Sequence, residues 1–199
     1  VRGWITTCKQ RGDMDACLRS VLSQDSEGPV EILVGDDCST DGTSERIADL
    51  ANEHPGLLKH IRHPIRMGAS ENIQAILEKA SGRYIARLDG DDYWLPEKLM
   101  RQVAYLDAHP EHPAVYTNAV LITEAGVRFG VFNTMGDCTV TLPRLLRGGN
   151  FLNNSSVMFR ARHKQALIDI TEQASDVALP QRAIPDTYFG MHVNKLGVH

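Results

Sequence analysis

No apolar run in the 199 residues approaches the ~18 needed to cross a bilayer, which excludes a spanning helix within them. The chain does not open on a charged-then-apolar leader segment either. Basic charge is not in excess. With 21 Lys and Arg against 25 Asp and Glu the net charge is −4, which excludes a general nucleic-acid binder with its basic field. Cysteine is scarce. Cys8, Cys17, Cys38 and Cys138 form no C-x-x-C pair and lack zinc-ligand spacing. They read as reduced thiols of a cytoplasmic protein. Internal repeats, low-complexity tracts and linkers are absent. What remains, 42% hydrophobic and 23% charged, is the composition of a globular protein, with the length of one large domain or of one domain with an appendage.

The order of apolar patterns then sets the fold class. Strand-like runs lie at 1–7, 30–37, 57–63, 83–89 and 113–122. Between them, helical periodicity covers 14–24, 39–54, 68–82 and 95–110, the last with Pro96 at its start. Strands alternating with helices predict right-handed crossovers and an α/β fold with a Rossmann-like, mostly parallel central sheet flanked by helices. After about residue 120 the pattern changes. It predicts a hairpin around Gly126, a short helix in 139–150, a strand feeding a helix over 151–170, and a helix over 185–197.

Ligands in such sheets bind beyond the carboxyl ends of the strands, and polar clusters gather there. "TTCKQ" follows the first strand, "GDDCSTDGT" the second and "LDGDDYW" the fourth. "DGDD" puts Asp89, Asp91 and Asp92 into four positions around Gly90, which allows a close backbone approach. It reads either as a solvated Asp-Gly turn or as a site for a hard cation, Mg²⁺ or Mn²⁺. Such a cation takes carboxylate and phosphate oxygens and stabilises charge developing on a leaving diphosphate. In the second cluster one of Ser39, Thr40 and Asp41 caps the following helix. Asp36 and Asp37 precede that cap, where a carboxylate can accept N–H groups of a nucleobase.

The segments "TTCKQRGDMDACLRSVLSQ", "VEILVGDDCSTDGT", "GASENIQAILEKASGRYIARLDGDDYWLPEKL" and "SSVMFRA" together resemble glycosyltransferase family 2, densely to about residue 118 and more thinly beyond. The resemblance implies the GT-A fold and a metal-dependent, inverting transfer of a sugar from a nucleotide-diphosphate donor to an acceptor hydroxyl. UDP- or dTDP-sugars are favoured as donors. The acceptor is a saccharide or is lipid-linked, in cell-surface polysaccharide or glycolipid synthesis. It implies that Thr6 and Cys8 lie where the base is held, with Asp37 on the base N–H and Asp36 beside it. Asp89 falls near ribose and donor sugar, Gly90 within the turn, Asp91 on the metal and Asp92 in support; Ser70 and Asn72 are weaker donor candidates. Asp186, in "IPDTYFGMHVNKLG", falls on the general base, which takes the acceptor's proton; a plain helix cap is its other reading. It divides the chain into a nucleotide-sugar-binding half, 1–118, and an acceptor-side half of the same domain, 119–199. Family members usually continue further, so acceptor-side elements are expected outside these residues. The implied location is the cytoplasm, with peripheral association at the inner face of the membrane left open.

The sequence departs from the family at Lys9, where Asn is usual, at Cys8, often aromatic, and at Pro185, which replaces an acid beside the base. Two other functions stay open: a non-catalytic nucleotide-sugar-binding module, favoured by Pro185, and a nucleotidyltransferase, disfavoured because "TTCKQRGD" is not a Gly-rich basic loop. Trp94 reads as core or as a sugar platform. Arg160 and Arg162 read as diphosphate contacts or as surface residues, and His192 and His199 as weaker candidates near a diphosphate.

Overall fold

The computed structural model describes residues 2–7, 11–26, 28–123, 125–134, 136–141, 152–175 and 191–194; at 2–7, 11, 170–175 and 191–194 it describes the backbone alone. Five strands and four helices alternate as the sequence predicts: β1 (Arg2–Thr7), α1 (Arg11–Leu22), β2 (Glu31–Asp36), α2 (Thr43–Glu53), β3 (Leu58–Arg62), α3 (Ala69–Lys79), β4 (Tyr84–Asp89), α4 (Lys98–Ala108) and β5 (Ala114–Thr117). The hairpin is β6 (Val120–Ile122) with β7 (Arg128–Val131), a separate two-stranded sheet. Then come β8 (Cys138–Val140), β9 (Met158–Arg160), α5 (Lys164–Ser175) and β10 (Met191–Asn194). The main sheet runs β3-β2-β1-β4-β9-β5-β10-β8. β3, β2, β1 and β4 pair in parallel, β9 is antiparallel between β4 and β5, β10 is parallel to β5, and β8 is antiparallel at the edge. The α/β, mostly parallel architecture is as expected, and three strands from the second half extend the same sheet.

Alternation along the strands builds two cores. Ile32, Val34, Tyr84, Ala86 and Leu88 face one side, where Met14, Leu18, Ile47, Leu50, Leu99 and Leu106 of α1, α2 and α4 cover them. Leu33, Ile85 and Phe159 face the other, under Ile76 and Leu77 of α3 and Ile168 of α5. Fully burying each Val, Leu, Ile, Phe or Met side chain among them stabilises by about 1.5–3 kcal/mol before chain entropy is counted. The faces follow from handedness. β1 to β3 step in one direction with α1 and α2 on one face. The chain then returns to β4, on the other side of β1, so a right-handed crossover places α3 on the opposite face. That reversal beside β1 is the switch point at which α/β sheets bind ligands.

The structure corrects three expectations. Residues 191–194 form a strand, not part of a helix over 185–197; their backbone fills the gap between β5 and β8 and pairs with both, and that pairing outweighs a short helical pattern. Residues 138–140 are likewise a strand, and the rest of the helix expected in 139–150 lies outside the described residues apart from Thr141. Pro96 precedes α4 instead of opening it, because Glu97 adopts a left-handed φ of 65° and starts the helix one residue later.

Candidate functional site

The register places both acidic clusters at one spot. Thr7 of β1 pairs with Asp36 of β2, and Thr6 of β1 pairs with Asp89 of β4. Asp36 and Asp89 therefore end the strands on either side of β1, two strand spacings or about 10 Å apart. That span suits a nucleoside at one cluster and its diphosphate at the other.

The DGDD turn is closed by Asp92 N–H donating to Asp89 O (3.0 Å). Gly90 is buried inside it. Its three carboxylates are in different states. Asp89 lies 3.3 Å from Arg87 Nε, and its own N–H donates to Ser155 Oγ (3.0 Å). Asp92 accepts from Ser155 Oγ at 2.5 Å. Its carboxyl is pushed above the usual range by desolvation first, then by Asp91 and Asp89, with Ser155 opposing. Asp91 is exposed and has no side-chain hydrogen bond or ion pair among the described residues. The charge of the turn is felt below it, where burial first and then Asp92, Asp91 and Asp89 push the Cys17 thiol far up.

The turn rests on residues that carry no local signal of their role. Ser155 precedes β9 and bonds Asp89 and Asp92, and its carbonyl accepts Trp94 Nε1–H at 2.8 Å. Ser20 Oγ of α1 accepts Trp94 N–H (2.9 Å), and Gln24 bonds Leu95 O (2.8 Å) and Leu99 N–H (3.2 Å). Trp94 itself is core, 4% exposed. "SSVMFRA" marked the segment, but only the fold shows that β9 carries Ser155 to the turn.

At the other cluster Asp36 is fully buried and lies beneath the site. It accepts Ser39 N–H (3.0 Å) and faces His60 Nε2 (3.4 Å). Burial raises its pKa, but the bonds from His60, Ser39 and Ser44 together outweigh it and hold the carboxyl well below the usual range. Asp37 accepts Met67 N–H (2.6 Å) and Gly68 N–H (3.0 Å), which fixes the loop before α3. Arg66 Nε stands 3.9 Å from the same carboxylate. Asn72 is buried and links α3 to β2, donating to Gly35 O (3.0 Å) and meeting His63 Nε2 (3.2 Å). Ser70 is half-buried in the first turn of α3. The cap of α2 is Gly42 in a left-handed conformation, not Ser39, Thr40 or Asp41; Asp41, one residue earlier, accepts Thr43 N–H at 3.2 Å.

Thr6 is placed by its backbone at the end of β1, while Cys8, Asp186 and His199 lie outside the described residues. His192 is placed by backbone alone in β10. Arg160 is not at the site. Its guanidinium donates to the carbonyls of Leu106 (2.6 Å), His109 (2.9 Å) and His112 (2.9 Å) at the opposite edge of the sheet. Arg162 reaches Pro110 O near that edge, at 3.5 Å.

A cleft of about 310 Å³ opens beside the DGDD turn, between Asp91, Trp94 and Lys98 on one wall and Asn118, Leu121 and Ser155 on the other. A larger cleft of about 760 Å³ lies at the amino edge near Glu31, Tyr84 and Asp107. It holds no candidate residue, so chemistry, not volume, marks the smaller one.

A parallel sheet with acidic turns flanking its switch strand, and antiparallel strands added beyond the fourth, has the architecture of the GT-A glycosyltransferases. Staphylococcus aureus TarS 1–349 in complex with UDP superimposes with a TM-score of 0.69 over 98% of this chain and 58% of that one, at 20% identity. The chain belongs to glycosyl transferase family 2, whose family model matches residues 4–160. An uncharacterised protein of Mycobacterium tuberculosis is 35% identical over 144 residues, 72% of this chain and 42% of that protein. WfaP of Escherichia coli, a UDP-Glc:alpha-D-GlcNAc-diphosphoundecaprenol beta-1,3-glucosyltransferase, is 35% identical over 92 residues, 46% of this chain and 35% of that one. The chain thus spans less than half the length of these two relatives. No helix among the described residues is long and apolar enough to cross a membrane.

Proposed function

We propose that this chain is the donor-binding region of an inverting glycosyltransferase that moves a sugar from a UDP- or dTDP-sugar to a hydroxyl of a saccharide or lipid-linked acceptor, in cell-surface polysaccharide or glycolipid synthesis. The observation that carries the reading is the placement of the Asp36/Asp37 and Asp89/Asp91 clusters on either side of the end of β1. The nucleoside lies along Thr6, Cys8 and Asp37, with Asp36 and Asn72 holding that loop from beneath and Ser70 beside it. Asp89 and Gly90 face ribose and donor sugar.

The donor set fits Mg²⁺ or Mn²⁺. Asp91 supplies a hard carboxylate oxygen without a protein partner among the described residues, and Asp89 stands behind it. The cation, when bound, offsets charge on the departing diphosphate. Asp186 takes the proton of the acceptor hydroxyl, whose oxygen bonds the anomeric carbon as the carbon–oxygen bond to the diphosphate breaks. The electron pair leaves with the diphosphate, and a single displacement inverts the centre.

A thermal-shift panel of UDP-, dTDP-, GDP- and CMP-sugars, each with and without Mn²⁺, tests this reading. A UDP- or dTDP-sugar with Mn²⁺ should raise Tm, since a ligand of the native state stabilises it. Asp91→Asn should abolish the metal-dependent part with the fold intact. Undiminished Mn²⁺ dependence in that variant would sink the assignment.

A further inference from the structure

A second cluster of ligating side chains stands apart from the donor site. α4 ends at Ala108, and the chain turns through His109, Pro110, Glu111 and His112 into β5. His109 Nδ1 lies 3.2 Å from Glu111 Oε1, and His112 Nε2 lies 3.8 Å from the same oxygen. Among the described residues this is the one trio of His, Cys, Asp or Glu whose ligand atoms all fall within 4.8 Å of one another; the DGDD carboxylates do not close to that spacing.

We propose that His109, Glu111 and His112 form a zinc-class metal site, built from two imidazole nitrogens and one carboxylate. The spacing agrees with that chemistry. Ligands about 2.0–2.1 Å from a tetrahedral ion lie about 3.3 Å from each other. Two imidazoles with one carboxylate select Zn²⁺, or Co²⁺, Ni²⁺ and Cu²⁺, over Mg²⁺ and Mn²⁺, which prefer oxygen. The surroundings orient the ligands as metal sites require. Tyr105 Oη meets His112 Nδ1 at 3.0 Å, which turns Nε2 toward Glu111. The Tyr105 and His112 rings stack at 5.8 Å and 2°. The turn is closed by His112 N–H on His109 O (3.1 Å), and Arg160 grips the carbonyls of both histidines. Such a site ties the end of α4 to the start of β5. It sits at the amino edge of the sheet, a β4 length or about 16 Å from the DGDD turn, and is independent of donor binding.

Calorimetric titration of the 199-residue protein with ZnCl2 should show saturable uptake at this site, and Zn²⁺ but not Mg²⁺ should raise Tm. Co²⁺ should give visible ligand-field bands. His109→Ala/His112→Ala should remove the bands and weaken zinc at least tenfold while keeping any Mn²⁺-dependent donor shift. Tyr105→Phe should weaken zinc several-fold. Should the double variant fold poorly, Glu111→Gln reports instead, because that exposed carboxylate can be neutralised without disturbing the core. Asp91→Asn should leave zinc uptake unchanged. Absence of saturable zinc uptake overturns the site and leaves Glu111 an ordinary partner of the histidines. So do unchanged affinity and bands in the histidine variant, or in Glu111→Gln if that is the one read.

Discussion

Ser155 Oγ donates to Asp92 Oδ2 across 2.5 Å and 63 positions of sequence, and the same oxygen accepts Asp89 N–H at 3.0 Å. One hydroxyl on the segment before β9 thus fixes the turn that carries Asp91.

Ser155→Ala should cost about 1–2 kcal/mol in urea unfolding, because the part-buried Asp89 N–H loses its acceptor and a carboxylate its donor. It should also raise the already elevated Asp92 pKa, since desolvation and the charges of Asp91 and Asp89 then act without the opposing bond. Carboxyl NMR titration reads that shift, and a fall would contradict the assigned role. Metal-dependent donor binding should weaken in the same variant.

Asp36 makes acid sensitivity a site property. Its folded pKa lies below the usual 3.8, so the unfolded chain binds more protons as the pH falls past about 4. The stability its bonds contribute is therefore present above pH ~4 and lost below it. Asp36→Asn should destabilise at pH 7 by on the order of 2 kcal/mol, and its stability should fall less steeply between pH ~4 and ~2 than that of the parent. Urea midpoints against pH give both values, and parallel acid limbs would count against the depressed carboxyl.

Gly35 is the point where α3 packs on β2. A Cβ there would collide with Asn72 Oδ1 and lie 2.5 Å from Ile76 Cδ1. Gly35→Ala should destabilise by about 1–3 kcal/mol through overpacking, and should loosen Asn72, whose amide donates to Gly35 O. Denaturant unfolding measures the loss; a neutral result would mean that α3 can shift without cost.

The alternating strands and helices up to β5 were legible because each is a local period, and the acidic turns because Asp and Gly crowd at strand ends. Ser155, Ser20 and Gln24 were not, because their roles exist only once β9 and α1 meet the DGDD turn. Asp36 looked like half of a binding pair, yet alternation in β2 turns it inward against Ser39 and His60. Arg160 looked suited to a diphosphate, but antiparallel β9 carries it to the far edge. The β10 strand was hidden for a related reason: a four-residue strand paired on both sides draws its stability from its neighbours and has no pattern of its own.

Lys98 stands on the wall of the cleft beside Asp91, its Nζ 4.2 Å from the centre of the Trp94 ring and 2.7 Å from Gln102 Oε1. Burial pushes its ammonium from 10.5 down to about 7. Between those values the unfolded chain holds one more proton than the folded one, so stability rises with pH across that window and the cost of the enclosed charge is complete below it. Lys98→Met keeps the stem and removes the charge. It should be more stable than the parent at pH 6 by on the order of 1 kcal/mol, with the lost cation–π contact and hydrogen bond offsetting part of the gain. The advantage should shrink as pH rises from about 7 toward 10.5, above which the parent lysine is neutral in both states. Unfolding midpoints at pH 6, 8 and 10 decide it. A difference that stays constant over that range would show that Lys98 keeps its charge through contact with water in the cleft.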